Sequence, residues 1–336
     1  MEMPLDLDRP PIIAFMSSDS ARTQFILENR AYIESLPFEG MVINIPVSWS
    51  AMSPGVVIRE GDVREWLAPL ADFNANKFNY LVIENNKPGD LFDGAAWAQA
   101  AANWRVIATV AQETGFRGIL FDNEEYAAHW DNFPDDVDAA GRARGLDAYR
   151  AQAQARGLQI MQGVVSVFPA AQIAVAHGPY LSVPPGAGAV PAITLQAGGW
   201  QDQELSGPFF TGLVAGAAAA QTVIDAGELY ALRSADDFAA SRAYRNALGP
   251  LIPWPTGPDV VTDWSARVDA GHMIYTNTYP EGFDQSPASL TTTLRNALPH
   301  SEGAVFIFTE AAHADFFIPN AGADAWIAAV RAALQP

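Results

Sequence analysis

Eight short runs of apolar, largely β-branched residues, each ending in polar residues and separated by helix-like stretches, constrain this chain most. They are PIIAFM (11–16), GMVINIP (40–46), YLVIENN (80–86), GILFDNEEY (118–126), QIAVAHGPY (172–180), TVIDAGELY (222–230), HMIYTNTY (272–279) and AVFIFTE (304–310). Between them lie helical patterns over 23–36, 95–114, 147–168, 209–221, after Ser234, 289–298 and 325–334. Ser234 with Asp237 three residues on is a capping-box start. Strands alternating with helices imply right-handed βαβ units and a parallel sheet. Eight units in 336 residues predict one (β/α)8 TIM barrel spanning 1–336. The runner-up, a doubly wound open sheet, lacks a G-x-G-x-x-G after the first strand and a P-loop.

In such a barrel, functional groups gather at the C-terminal ends of the strands. The polar tails of the runs are therefore candidates as a set: Asp19, Asn44, Glu84, Asp122 with Glu124, His177 with Tyr180, Asp225 with Glu228, and Glu310. Tyr230, Tyr275 and Tyr279 recur beside the acids, and Trp49 and Trp200 lie in loops. Aromatic faces stack on sugar rings while their polar atoms bond hydroxyls. A Gly/Pro-rich loop, about 181–207, is expected to wall or cover the cleft.

Side chains at i and i+2 of a strand share a face, about 6–7 Å apart. Asp122 and Glu124 should both point to the mouth, with Phe121 turned toward the helices. Two close carboxyls cannot both ionise cheaply, so one stays protonated as an acid. Glycosidic cleavage needs that acid plus a second carboxylate. Glu124, which protrudes further, is read as the proton donor, Asp122 as its helper and Glu228 as the second carboxylate. The bland alternatives are explicit: Asp122 with Glu125 has capping-box spacing, Asp225 could cap a turn, and Asp19 and Glu84 could cap helices. An amino sugar whose N-acetyl group attacks its own anomeric carbon also fits a helper carboxylate at Asp122.

Composition narrows the partner. Lys+Arg number 19 against 38 Asp+Glu, and Lys77 and Lys87 are the only lysines. That balance offers no footprint for nucleic acid or an anionic membrane, so the expected partner is a largely neutral carbohydrate. No run approaches the length needed to span a bilayer. With no cysteine, thiolate chemistry is excluded, and a secreted or periplasmic setting is favoured although MEMPLDLDRP is not a signal peptide. The five histidines show no H-E-x-x-H spacing, so neither a metal nor another cofactor is expected.

GILFDNEEY resembles the G-x-x-F-D-x-E-x-Y strand end of an uncharacterised group of bacterial barrel proteins described as glycoside hydrolases. The segment from PIIAFM to LPFEGMVINIP is similar to their start, and VIDAGELY and AVFIFTE to their sixth and eighth strand ends. Many of those relatives carry proline where this chain has Asn123. The resemblance implies a (β/α)8 glycosidase with Asp122 and Glu124 as the matching acids. Two rivals remain: a barrel that binds carbohydrate without cleaving it, and a barrel lyase or isomerase acting on sugars.

Overall fold

The computed structural model describes residues 8–335, except 18, 74–77, 87, 125–132, 136, 184–204, 220, 277–284, 311–314 and 320–321. Its strands are β1 (Ile12–Ser17), β2 (Gly40–Ile43), β3 (Tyr80–Glu84), β4 (Gly118–Asp122), β5 (Gln172–Val175), β6 (Val223–Asp225), β7 (Val268–Ala270), β8 (His272–Tyr275) and β9 (Val305–Glu310). All pairings are parallel, in the order β7-β6-β5-β4-β3-β2-β1-β9-β8. The fold is a TIM barrel. Among the described residues, no helix is long and apolar enough to cross a membrane.

Eight staves were expected and nine strands are found, because the seventh stave is broken. β7, which the sequence reading missed, pairs with β6; β8 pairs with β9; Gly271 alone lies between them. Gly271 N–H donates to the Asp225 carbonyl, His272 N–H to Ala304 and Met273 N–H to Gly227, so this stave stitches to both neighbours. A Cβ on Gly271 would lie 2.9 Å from Ile224 Cγ2 and 3.0 Å from the Ala304 carbonyl oxygen. The chain passes through a gap that is tight for any side chain.

The strand period of two sorts the apolar residues into separate layers. Ile13, Phe15, Val42, Tyr80, Val82, Leu120, Ala174, Ile224, Met273, Tyr275 and Phe306 fill the barrel interior. Their sequence neighbours, among them Ile12, Ile43, Leu81, Phe121, Val175 and Val223, face the helices. Phe121 meets Trp104 edge-on at 5.3 Å and Phe209 at 5.7 Å, as its outward direction requires. Burying such rings contributes about 1.5–3 kcal/mol apiece.

The long helices Gly94–Glu113 and Leu146–Val165 close the outer layer beside β3–β5, and Ser206–Gly216 packs on the latter. That packing is very close: a Cβ on Gly157 would fall 2.0 Å from the Phe209 carbonyl oxygen, and one on Gly212 2.1 Å from that of Gln154. The helix Ala235–Asn246 opens with the expected box, Asp237 N–H donating to Ser234 Oγ and Ser234 N–H to Asp237 Oδ2.

Candidate active site

The same alternation that builds the core builds the site. Asn44 continues the inward face of Val42, Glu84 that of Val82, Asp122 that of Leu120, and Glu310 that of Phe308. These four, with Glu124, His177, Glu228, Tyr230, Tyr275 and Trp49, line a cleft of about 550 Å³ at the C-terminal mouth of the barrel.

Glu124, His177 and Glu228 meet at its centre. His177 Nε2 lies 3.3 Å from Glu124 Oε1 and 3.4 Å from Glu228 Oε2, and the three residues each bring one donor atom within 4.8 Å of the others. On the other side of the ring, His177 Nδ1 is 3.0 Å from the Tyr180 hydroxyl. The backbone is clamped as well: Asn123 Oδ1 accepts from His177 N–H at 2.8 Å, and Asn123 Nδ2 donates to the His177 carbonyl at 3.0 Å. Glu124 N–H donates to Asp122 Oδ1 at 3.1 Å, closing a short turn that sets the acid past the strand end. Glu228 reaches the same point from β6 because Gly227 turns the chain with φ +60°. Tyr230 donates its hydroxyl proton to Glu228 Oε1.

Burial and mutual repulsion govern the charges. Burial, then Glu228 and Glu124, hold Asp122 well above the usual carboxylate range. Burial raises Glu228 to about 7, with Glu124 adding to the rise while His177 and Tyr230 oppose it. His177 is pulled both ways: burial disfavours its charge, but Glu228, Glu124 and Asp122 outweigh burial and lift it to about 9. Protonated imidazole then donates from both nitrogens, Nδ1–H to Tyr180 and Nε2–H to the two carboxylates. Burial also lifts Glu84 to about 7, against a 3.4 Å hydrogen bond from Asn44 Nδ2.

The remaining sequence candidates fall elsewhere. Asp225 shares the face of Val223, not of Ile224, so it points away from the cleft. It is fully buried, 3.3 Å from Arg245 Nη1, and its Oδ1 accepts from Gly227 N–H. Arg245 Nη2 donates to His272 Nε2 at 2.8 Å, leaving His272 Nδ1–H for Ser301 Oγ at 2.8 Å. Burial and Arg245 hold His272 well below its ordinary pKa, so it is neutral. Asp19 is exposed, its side chain 2.9 Å from Arg22, and does not line the cleft. Tyr180 is buried, its hydroxyl against His177 Nδ1. Trp200, Tyr279 and most of the loop 181–207 lie outside the described residues.

No family model matches this chain, and no curated protein matches it. Solved structures do. A GH5_18 protein from Streptomyces cattleya, crystallised in complex with GlcNAc, superposes with a TM-score of 0.53 at 14% identity, over 98% of this chain and 82% of that one. A GH5-4 broad-specificity endoglucanase from an uncultured bacterium gives 0.50 at 12% identity, over 97% and 95%. A family 39 glycoside hydrolase from Bacteroides cellulosilyticus WH2 gives 0.53 at 11% identity, over 98% of this chain and 65% of that one. Likeness at this identity establishes the fold.

The sequence reading omitted Asn123, Phe15, Ser17 and Phe308. Asn123 clamps His177, while Phe15, Ser17 and Phe308 line the cleft. The parity of the first and last staves marks the last three as inward residues. Asn123 follows the strand end with no periodic signal to single it out. Glu124, His177 and Glu228 have the donor types of a divalent-metal site, one nitrogen and two carboxylate oxygens within 4.8 Å. Protonation of His177, favoured by these same carboxylates, competes with that use.

Proposed function

We propose that this protein is a glycoside hydrolase in which Glu124 and Glu228 flank the scissile bond. The convergence of these two carboxylates on His177 Nε2, from the ends of different strands, carries the reading. A cleft of about 550 Å³ with aromatic walls suits a carbohydrate, as does the glycosidase company of the fold.

The environments of the pair divide its labour. Glu228, buried and raised to about 7, holds the proton that passes to the departing glycosidic oxygen. Glu124, with its side chain 34% exposed at the mouth, attacks the anomeric carbon. This reverses the roles expected from chain position alone. Water then hydrolyses the glycosyl ester, with Glu228 now acting as base. Carboxyl oxygens within 4.8 Å favour retention, since retaining carboxyls sit about 5–5.5 Å apart and inverting ones about 6.5–9.5 Å. Protonated His177, oriented by Tyr180 and Asn123, keeps both carboxyl groups in place. Asp122 accepts the Glu124 N–H and fixes the attacking group.

Reducing-end release across a panel of polysaccharides, with wild type, Glu124→Gln and Glu228→Gln, tests the reading. Both variants should lose at least a hundredfold while staying folded. Azide separates the roles: it should rescue Glu124→Gly as a glycosyl azide of inverted configuration and Glu228→Gly as one of retained configuration. Full activity in either glutamine variant sinks the pair.

A further inference from the structure

A second hollow, of about 390 Å³, opens off the cleft over the ends of β2 and β3. It is lined by Arg22, Asn44, Ile45, Pro46, Trp49 and Glu84, and shares Asn44, Trp49 and Glu84 with the central cleft. Trp49 stands on the short turn Ser48–Ser50 and is 47% exposed, a large ring offered to solvent at the junction. The turn is pinned by Ile45 N–H donating to Ser48 Oγ at 3.2 Å. The proposed chemistry at Glu124 and Glu228 uses none of these residues.

We propose that this hollow is a subsite for a free amino sugar, whose ring lies on Trp49 and whose ammonium group pairs with the Glu84 carboxylate. Three observations converge. Among the described residues, the Glu84 carboxylate receives one hydrogen bond, from Asn44 Nδ2 at 3.4 Å, and no ion pair. An ammonium ion supplies both the charge and the donors it lacks. Among the described residues, the joined cleft and hollow carry five carboxyl groups, Glu84, Asp122, Glu124, Glu228 and Glu310, and each of them that is ionised favours a cation. Against them stand His177, already engaged by Glu124 and Glu228, and Arg22, engaged by Asp19 at 2.9 Å. A cationic sugar gains from the ionised members of this set, and a neutral one does not. A chain of net charge −19 also attracts a polycation from a distance.

A divalent cation is the poorer occupant. It requires several oxygen ligands, and the one cluster of three such groups among the described residues, Glu124, His177 and Glu228, does not include Glu84. The subsite rests on the hydrolase reading only in that it names the sugar bound next to the acids.

Calorimetric binding to Glu124→Gln protein at low salt and pH 7 tests it without turnover. The probes are the hexamer of glucosamine, the hexamer of N-acetylglucosamine and cellohexaose. The amine hexamer should bind at least tenfold more tightly than either uncharged one. Glu84→Gln or 0.5 M salt should cut that advantage below threefold, and Trp49→Ala should weaken all three. Equal binding of the three, no binding of the amine hexamer, or an amine preference that survives Glu84→Gln overturns the subsite. So does tight, Glu84-dependent binding of magnesium, calcium or manganese ions alone. The two readings fail separately. Cleavage of neutral polymers without amine preference sinks the subsite and spares the hydrolase; amine binding with no product from wild type does the reverse.

Discussion

Replacing Glu84 by glutamine should stabilise the fold, and only above a defined pH. Burial holds this carboxyl near 7 instead of its ordinary 4.5. Between those values the folded chain keeps a proton that the unfolded chain gives up. Stability contributed at low pH is therefore lost as pH rises through the window, and the loss is complete above about 7. Holding the carboxyl near 7 instead of 4.5 corresponds to about 3.4 kcal/mol at most. Solvent at the hollow's mouth screens the charge, so about 1.5–3 kcal/mol is expected. Glutamine retains the oxygen that accepts from Asn44 Nδ2 but carries no charge. For 336 residues the unfolding entropy is about 0.7 kcal/mol per kelvin, which makes the gain about 2–4 °C in Tm at pH 8 and near zero at pH 4. Scanning calorimetry of both proteins at the two pH values decides it. A Tm change of equal size at both, or a loss at pH 8, refutes the claim that Glu84 is ionised at a cost.

Three further outcomes can be checked. The kcat/KM of the free enzyme should fall as pH rises through about 7, because Glu228 loses its donor proton there; a flat profile from pH 6 to 9 contradicts its role as acid. Arg245→Met should cost about 3–5 kcal/mol, since it leaves buried Asp225 without its counter-charge. Adding Asp225→Asn should recover much of that loss in denaturant titrations, and strict additivity of the two would count against the pairing. Gly157→Ala should lower stability by at least about 2 kcal/mol, because its Cβ meets the Phe209 carbonyl oxygen at 2.0 Å across the helix contact; an unchanged melting curve would show the helices free to part.

Much of this was legible in the chain because one rule, the period of two, governs both core and cleft. It places Asn44, Glu84, Asp122 and Glu310 inward and would have sent Asp225 outward had it been applied to VID as well as to FDNE. It fails where the strand ends. His177 and Glu228 lie two and three residues past their strands, so their directions depend on the Gly227 turn and the Asn123 clamp. The seventh stave was read as one run from His272 because Val268–Ala270 is too short to show alternation, and its pairing depends on contacts distant in sequence. The proposed proton-donor role is a further case. Chain order shows that Glu124 protrudes, but burial of Glu228 among groups from three strand ends is a tertiary property.

The division of each strand into two faces has a consequence for how such a molecule can change. Phe121 and Asp122 are adjacent in sequence, yet one is wedged among helices and the other opens on the mouth. Substitutions at inward strand ends alter what the cleft recognises while the outer layer goes on holding the barrel shut, and repacking of the outer layer leaves the cleft's lettering intact. Specificity and durability are thus written in alternate positions of one text. A lineage built this way could exchange one ligand for another through a few odd-or-even edits, with the cylinder beneath them undisturbed.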